Sequence, residues 1–127
     1  MEFLGIDHPA IAADDVEKLA TWYCDVIGYE KWVSTDKPVW MLKAPDGTLL
    51  EIIPKDDTLR EKRNMWTPGF SHLALRVVNL EEAIATLDTK GIVWAGDVFD
   101  AIGGGKIRNA FDLDGNLIQI LERIVKE

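Results

Sequence analysis

The chain contains two histidines, His8 and His72, and they stand in similar local sequences. His8 lies in Ile-Asp-His-Pro-Ala-Ile-Ala, and His72 follows in Phe-Ser-His-Leu-Ala-Leu-Arg with an offset of 64 residues (72 minus 8). Imidazole nitrogens, together with oxygen donors, suit Zn²⁺, Ni²⁺, Co²⁺, Mn²⁺ or Fe²⁺. One histidine in a strand is more often a packed residue than a ligand. Two histidines matched by a repeat favour a shared metal site.

Two further polar residues interrupt apolar segments. Glu51 lies in Leu-Leu-Glu-Ile-Ile and Gln119 in Leu-Ile-Gln-Ile-Leu, with an offset of 68 (119 minus 51). A polar group in such a setting costs free energy unless it is hydrogen-bonded or bound to a cation. An ion pair for Glu51 and a backbone hydrogen bond for Gln119 are the structural alternatives. The favoured hypothesis is a divalent metal ion bound by His8, Glu51, His72 and Gln119.

These matched segments show that the chain contains an internal repeat, and each copy has the same predicted order of helices and strands. In the first copy, Asp14-x-x-Glu17 predicts a capped helix that ends at Gly28. In the second copy, Asn79-x-x-Glu82 predicts the corresponding helix, which ends at Gly91. Alternating or apolar runs predict strands at about 4–12, 29–35, 38–44 and 48–54, and at about 70–77, 92–98, 105–111 and 116–122.

The repeat predicts an α+β fold of two tandem βαβββ modules that form curved mixed sheets. The first module covers residues 1–54 and the second covers residues 70–122. A charged linker, residues 55–69, joins them.

Segments of both copies resemble the vicinal-oxygen-chelate superfamily, which includes glyoxalase I, bleomycin-resistance proteins and extradiol dioxygenases. The resemblance rests on the sequence around His8, on Tyr-Cys-Asp-Val-Ile-Gly-Tyr at 23–29, and on Phe-Asp-Leu-Asp-Gly-Asn-Leu-Ile-Gln at 111–119. It implies one glyoxalase-like domain over residues 1–127. It also implies metal ligands at the four positions named above, and proton transfer on a small carbonyl substrate through a metal-stabilised enolate. Glu51 is the only carboxylate of this set, so the resemblance makes it a ligand, the catalytic base, or both in turn.

Three positions depart from the glyoxalase I pattern. Glyoxalase I has a glutamate where this chain has Gln119, and an amide cannot take up a proton. Small glyoxalases contact glutathione through an arginine and an asparagine where this chain has Ala12 and Lys55. These departures favour a metal-dependent lyase or isomerase of the glyoxalase type that does not use glutathione conjugates.

Three alternatives remain open from the sequence. Epimerases of the same superfamily use two histidines, one glutamine and one glutamate, but with the last two in the reverse order. A ring-cleaving dioxygenase would have a carboxylate at the position where this chain has Gln119. A metal-silent small-molecule binding protein, like the bleomycin-resistance proteins, would generally lack the histidines that this chain has.

Three residues are predicted to contact the substrate. Arg108 could hold a carboxylate or phosphate group, although a solvated strand position explains it equally well. Trp40 could line an apolar pocket, with core packing as the alternative. Lys55 occupies the position that the resemblance assigns to glutathione contact.

Composition restricts the partners. Fourteen Lys and Arg against twenty-two Asp and Glu give a net charge of −8, which makes nucleic acid and anionic membranes unfavourable partners. No apolar run approaches the roughly 20 residues of a membrane span. The first residues lack the basic start and the apolar run of a signal peptide, so none is expected. We therefore expect a cytoplasmic protein. We also expect a homodimer, since small relatives cover their open sheets by pairing chains.

Overall fold

The computed structural model describes residues 1–124. The chain forms two compact units, which we call unit 1 (Met1–Leu59) and unit 2 (from Arg60 onward). Their boundary lies inside the predicted linker 55–69. None of the helices formed by residues 1–124 is long and apolar enough to cross a bilayer.

Unit 1 is a four-stranded mixed sheet with one helix. Its elements are β1 (Ala10–Ala13), α1 (Val16–Trp22), a π-helical turn (Tyr23–Ile27), β2 (Glu30–Ser34), β3 (Trp40–Lys43) and β4 (Leu49–Pro54). The strand order is β1-β4-β3-β2, and only β1 and β4 run parallel. The first strand therefore lies beside the last one, because the helix carries the chain across the sheet.

Unit 2 repeats this arrangement with an additional short strand. Its elements are β5 (Leu73–Val77), α2 (Leu80–Thr89), β6 (Val93–Trp94), β7 (Phe99–Asp100), β8 (Gly105–Phe111) and β9 (Leu117–Arg123). The order is β5-β9-β8-β6, with β5 and β9 parallel, and β7 pairs with β8. The predicted α+β fold of two βαβββ repeats with mixed sheets is confirmed.

Each sheet buries the face that its own helix covers. In unit 1, α1 contributes Leu19 and Ala20, the π-helical turn contributes Tyr23, and the sheet contributes Leu42, Leu50 and Ile52, all with no exposed surface. In unit 2 the core includes Leu75, Leu80, Leu87, Ala110, Ile118 and Ile120. Residues on alternate positions of a strand point to opposite faces, so Glu51 and Gln119 lie on the faces away from the helices.

The helix starts differ from the prediction in one unit. Asp15, not Asp14, caps α1: its side chain accepts a hydrogen bond from the Lys18 backbone N–H. The predicted Asp14-x-x-Glu17 capping box is therefore wrong, and the Glu17 carboxylate instead contacts side chains of the sheet. In unit 2 the prediction is confirmed, because Asn79 accepts a hydrogen bond from the Glu82 N–H.

The helix ends follow the predicted glycines. The π-helical turn ends at Gly28, which has a φ of 102° and whose N–H donates to the Tyr23 carbonyl. After α2, Gly91 has a φ of 74°, and the N–H groups of Gly91 and Ile92 donate to the carbonyls of Asp88 and Leu87. This second pattern is the Schellman motif, which needs a left-handed residue.

Strands β1, β5 and β6 have different bounds from those predicted. The run at 4–12 becomes a strand only at Ala10, where pairing with Glu51 begins, and Pro9 before it has no N–H to donate. Likewise, β5 begins at Leu73 instead of residue 70. The run at 92–98 pairs only at Val93 and Trp94, because the chain turns away at Gly96, where φ is 143°.

The glycine triplet at 103–105 forms a tight turn into β8. The Gly104 N–H donates to the Ala101 carbonyl, and Gly105 pairs with Arg123. A Cβ atom at Gly105 would overlap the Glu122 carbonyl oxygen, so the close approach of β8 and β9 requires glycine there.

Candidate functional site

His8 and Glu51 lie together in unit 1. Ala10 pairs with Glu51 in the parallel β1–β4 ladder, and His8 precedes Ala10 by two residues, so all three lie on the same face. His8 Nε2 is 3.7 Å from Glu51 Oε1, which is too long for a hydrogen bond. The two side chains are 31% and 30% exposed, respectively. Both donor groups are therefore close together and open to a third species.

This separation fits a shared cation. Histidine and carboxylate ligands bind a zinc-like cation at about 2.0–2.2 Å, so two donors of one cation lie within roughly 4 Å of each other. Over residues 1–124, however, no group of three or more His, Cys, Asp or Glu side chains has an arrangement that could hold a metal ion. His8 and Glu51 are thus the two predicted ligands whose donor atoms lie close enough within one unit to bind the same cation.

The residue before His8 sets its electrostatics. His8 Nδ1 lies 2.7 Å from Asp7 Oδ2. The hydrogen bond to Asp7 raises the pKa of His8 above its usual 6.5, and the nearby Glu51 carboxylate also raises it, while partial desolvation lowers it. The Asp7 contact leaves Nε2 as the ring nitrogen nearer to Glu51.

Gln119 and His72 are the two predicted ligands in unit 2. Gln119 is at the centre of β9, opposite Ala74 of β5 and Asn109 of β8, and it is 5% exposed. His72 precedes Ala74 by two residues and lies just before β5, so alternation continued by one residue beyond the strand would place it on the Gln119 face. Its Nδ1 lies 2.8 Å from Ser71 Oγ. The positions of Ala74, Gln119 and His72 match those of Ala10, Glu51 and His8 in unit 1.

Asn109 is a polar residue of this face that the sequence interpretation missed. Among residues 1–124, its Oδ1 is the buried side-chain oxygen without a hydrogen-bond partner. Such an atom costs free energy unless a ligand, ion or water satisfies it. The sequence contained the signal: the turn at 112–115 fixes the hairpin register, and that register places Asn109 opposite Gln119.

Glu122 does not belong to this face. Its Oε1 accepts a hydrogen bond of 2.9 Å from the Leu80 N–H at the start of α2. This contact confirms that Glu122 points away from Gln119 and satisfies a helix N-terminus. It is therefore no substitute for the carboxylate that Gln119 lacks.

The structure does not bring Trp40 to the Glu51 face. Trp40 pairs with the buried Ile52, and its indole N–H donates to Glu17 Oε2 at 2.7 Å. Lys55 follows β4, and its Nζ lies 3.6 Å from Asp14 Oδ1 in an exposed ion pair. The predicted substrate contacts of these two residues stay predictions.

Arg108 lies on the helix side of the sheet in unit 2. It pairs with the buried Ile120, its Nε–H donates to the Gly96 carbonyl at 2.8 Å, and its guanidinium lies 4.4 Å from the centre of the Trp94 ring. These contacts occupy the side chain on the face opposite to Gln119. Substrate binding by Arg108 likewise stays a prediction.

Comparisons with solved structures show the same fold throughout the chain. A glyoxylase/bleomycin resistance protein/dioxygenase domain from Frankia sp. EAN1pec has 15% identity and a TM-score of 0.76, with 99% of this chain and 96% of that chain covered. A glyoxalase/dioxygenase from Nostoc punctiforme has 19% identity and a TM-score of 0.75, with 95% and 92% covered. A lactoylglutathione lyase from Agrobacterium tumefaciens has 18% identity and a TM-score of 0.71, with 96% of both chains covered.

No curated protein matches the chain significantly. The family model for the Glyoxalase/Bleomycin resistance protein/Dioxygenase superfamily, in contrast, matches residues 5–120. This match spans both repeats, from before His8 to just beyond Gln119. The chain therefore belongs to the Glyoxalase/Bleomycin resistance protein/Dioxygenase superfamily.

Proposed function

We propose that the protein is a metal-dependent lyase or isomerase that moves a proton at a carbon atom of a small carbonyl compound. His8, Glu51, His72 and Gln119 are the proposed ligands of one divalent cation of the Zn, Ni, Co, Mn or Fe type. The observation that carries the proposal is the His8–Glu51 pair, with 3.7 Å between its donor atoms. Membership of the superfamily supports the same reaction class.

Glu51 is the proposed base. It is the only carboxylate among the four proposed ligands, and it is partly exposed, so a substrate proton can reach it. The bound cation would supply electrostatic stabilisation of the negative charge on an enolate oxygen. Glu51 would take the proton from the substrate carbon and return it, while Gln119, which cannot titrate, would contribute only an oxygen donor.

The orphaned Asn109 oxygen supports a ligand on the Gln119 face. A carboxamide side chain has donor N–H groups besides Oδ1, so it can hold a hydroxyl group, which both donates and accepts. A small hydroxycarbonyl compound carries such a group. Asn109 would therefore orient the substrate in unit 2 without taking part in proton transfer.

Metal analysis tests the proposed ligands. Protein purified without added metal is analysed for elements, then titrated with Zn²⁺ and Co²⁺; one ion per chain is expected. His8→Ala and His72→Ala are each expected to lose most of this metal, while the far-ultraviolet circular dichroism stays unchanged. Full metal content in either variant would remove that histidine from the site.

Solvent exchange tests the reaction. A panel of small aldehydes, ketones and hydroxycarbonyl compounds is incubated with the metal-loaded protein in D₂O, and deuterium at the α-carbon is measured by NMR. Glu51→Gln is expected to abolish the exchange. Glu30→Gln is the matched control, because Glu30 is an exposed glutamate of β2 in the same sheet. Binding without exchange by the wild-type protein would instead support a small-molecule binding protein.

A homodimer is the proposed assembly. Phe3, Ile6, Trp66 and Phe70 have side chains that are at least 85% exposed. Apolar side chains of this size gain free energy when a partner chain removes them from water, which supports the proposal. Sedimentation at micromolar concentration is expected to give the mass of two chains, and a monomer would contradict the proposal.

A further inference from the structure

The residue immediately before each histidine contacts the same ring nitrogen. Asp7 Oδ2 lies 2.7 Å from His8 Nδ1, and Ser71 Oγ lies 2.8 Å from His72 Nδ1. Asp7 and Ser71 are equivalent in the repeat, because 71 minus 7 gives the same offset of 64 that relates the histidines. The two units thus repeat a contact although its chemistry differs, a carboxylate in one and a hydroxyl in the other.

The proton of the His72–Ser71 bond can be assigned from the other contact of Ser71. Ser71 Oγ lies 2.8 Å from the Met65 carbonyl oxygen, which can only accept a hydrogen bond. A serine hydroxyl has one proton, so that proton goes to Met65. Ser71 must then accept from His72, and the hydrogen must reside on Nδ1 of the imidazole.

Arg63 fixes the backbone around Ser71. Its Nη2 donates to the carbonyl oxygens of Thr67, Pro68 and Phe70 at 3.0, 3.0 and 3.1 Å. Gly69 allows this close approach: it has a φ of 113°, and a Cβ atom there would lie 3.2 Å from Nη2. The Ser71 hydroxyl is therefore positioned by the segment 63–70 and does not depend on His72 for its place.

The His8–Asp7 bond leads to the same tautomer. A carboxylate only accepts hydrogen bonds, so neutral His8 must have its hydrogen on Nδ1. The nitrogen with the lone pair is then Nε2, and it is this atom that lies 3.7 Å from Glu51 Oε1. An isolated neutral imidazole in water favours the other tautomer, with the hydrogen on Nε2, so the protein reverses the default at this position.

We infer that Asp7 and Ser71 are a repeated pair of positioning residues that hold His8 and His72 in the Nδ1–H tautomer, so that each presents Nε2 to a ligand. The tautomer assignment stands on these hydrogen bonds alone, whereas its use in metal binding rests on the proposed function. Outer partners of this kind orient ligating histidines and strengthen metal binding by about 10- to 100-fold.

The tautomers are measured on metal-free protein labelled with ¹⁵N, at a pH well above the histidine range of about 6.5. Two-bond and three-bond correlations from the ring carbon-bound protons identify each nitrogen and whether it carries hydrogen. Both histidines are expected to show a protonated Nδ1 and an unprotonated Nε2. The opposite tautomer at both residues would overturn the inference.

Variants separate positioning from general stability. Asp7→Ala and Ser71→Ala are each expected to shift the neighbouring histidine toward the Nε2–H tautomer. Asp7→Asn and Ser71→Thr keep an acceptor oxygen and are expected to restore Nδ1–H. The matched controls are Asp36→Ala, which removes an exposed carboxylate in unit 1, and Ser34→Ala, whose hydroxyl donates to the Val39 carbonyl and contacts no histidine. Unchanged tautomers in both of the first two variants would overturn the inference.

Zn²⁺ affinity, measured by chelator competition, tests the link to metal binding. Asp7→Ala and Ser71→Ala are expected to weaken binding by about 10-fold or more, and the two conservative variants to restore it. If the wild-type protein shows the Nδ1–H tautomers but binds no metal, the proposed function fails and the tautomer assignment remains supported. If metal binds equally to all variants, the positioning role is wrong and the proposed function survives.

Discussion

The two units agree on the helix side of their sheets and differ on the other side. Leu50 and Ile118 are equivalent in the repeat, as are Ile52 and Ile120, and all four are buried and apolar. On the other side, Glu51 and its strand neighbour Met41 in unit 1 correspond to Gln119 and Asn109 in unit 2. The residues that contact the histidine rings also differ, Asp7 in unit 1 and Ser71 in unit 2. Unit 1 thus combines two carboxylates with an apolar neighbour, and unit 2 has three neutral polar groups. The face that packs against the helix maintains the fold, while the other face is free to differ in chemistry.

The largest expected effect tests the side on which the units agree. Leu50→Ala and Ile118→Ala each empty a fully buried equivalent position, so each should destabilise the protein by about 2–5 kcal/mol. Urea unfolding followed by circular dichroism measures the loss. A cost below about 1 kcal/mol at only one of the two positions would show that the two cores are not equivalent.

The second prediction concerns variants that remove or add a carboxylate at Glu51 and Gln119, on the side of the sheets where the two units differ. Glu51→Gln removes the only carboxylate of the proposed ligand set and should weaken Zn²⁺ binding by more than about 100-fold, beyond the range for outer partners. Gln119→Glu should tighten binding, since it adds a negative charge beside the cation. The double variant Glu51→Gln/Gln119→Glu keeps the charge and should recover most of the affinity. Chelator competition gives all three constants. If Gln119→Glu and Gln119→Ala both leave the affinity unaltered, Gln119 is not a ligand.

The third prediction concerns the strand neighbours Met41 and Asn109. Asn109→Leu removes a buried oxygen that has no partner among the described residues, so the protein should gain about 1–2 kcal/mol in stability. Met41→Leu, the matched change in unit 1, replaces one apolar group by another and should be close to neutral. Thermal or urea unfolding compares them. Destabilisation by Asn109→Leu would mean that water already satisfies the Asn109 oxygen in solution.

The smallest expected effect concerns a contact that both units share. In unit 1 the Trp40 indole donates to Glu17, which Lys31 also contacts; in unit 2 the Trp94 indole donates to Asp88. The contact with Lys31, and then that with Trp40, lowers the pKa of Glu17 below its usual 4.5. The Glu17 contribution to stability is therefore fully present above pH 4.5 and is lost as the pH falls through the lower value in the folded protein.

Because Glu17 is largely exposed, this contribution should be less than about 1 kcal/mol. The stabilities of the wild-type protein and of Glu17→Gln are expected to differ near neutral pH and to converge in acid. Urea unfolding at a series of pH values measures both. A difference that grows as the pH falls would contradict this assignment.

The sequence predicted most of the fold because its signals were local and occurred twice. The repeated order of elements, the Asn79 cap and the glycines after both helices all depend on residues within a few positions of each other. The prediction that Asp14 caps α1 was wrong because Asp14 and Asp15 are adjacent, and a local pattern allows either of them to precede a helix. Tertiary contacts decided the outcome, because Glu17 is held by Lys31 and Trp40 of the sheet and is not available to complete a capping box.

The candidate site was only partly accessible from the sequence. The repeat singled out His8 and Glu51, and the structure brings their donor atoms together through the register of β1 and β4. Asn109 was missed because its significance lies in a cross-strand neighbour, and Ser71 because its contact with Met65 requires a loop conformation. The lengths of β1 and β6 also depend on partners, since an isolated apolar run does not show where pairing stops.

The internal repeat also determines which charges the proposed ligand set can have. Two identical copies of one unit would carry the same residue at both central positions, so the number of carboxylates there would be zero or two. When both copies are in one chain, the residue at each position can differ between them. This chain has one carboxylate at the central positions, Glu51, and its equivalent in the second copy is the neutral Gln119. A single carboxylate is a value that a two-fold symmetric pair of identical half-length chains could not have in such a ligand set.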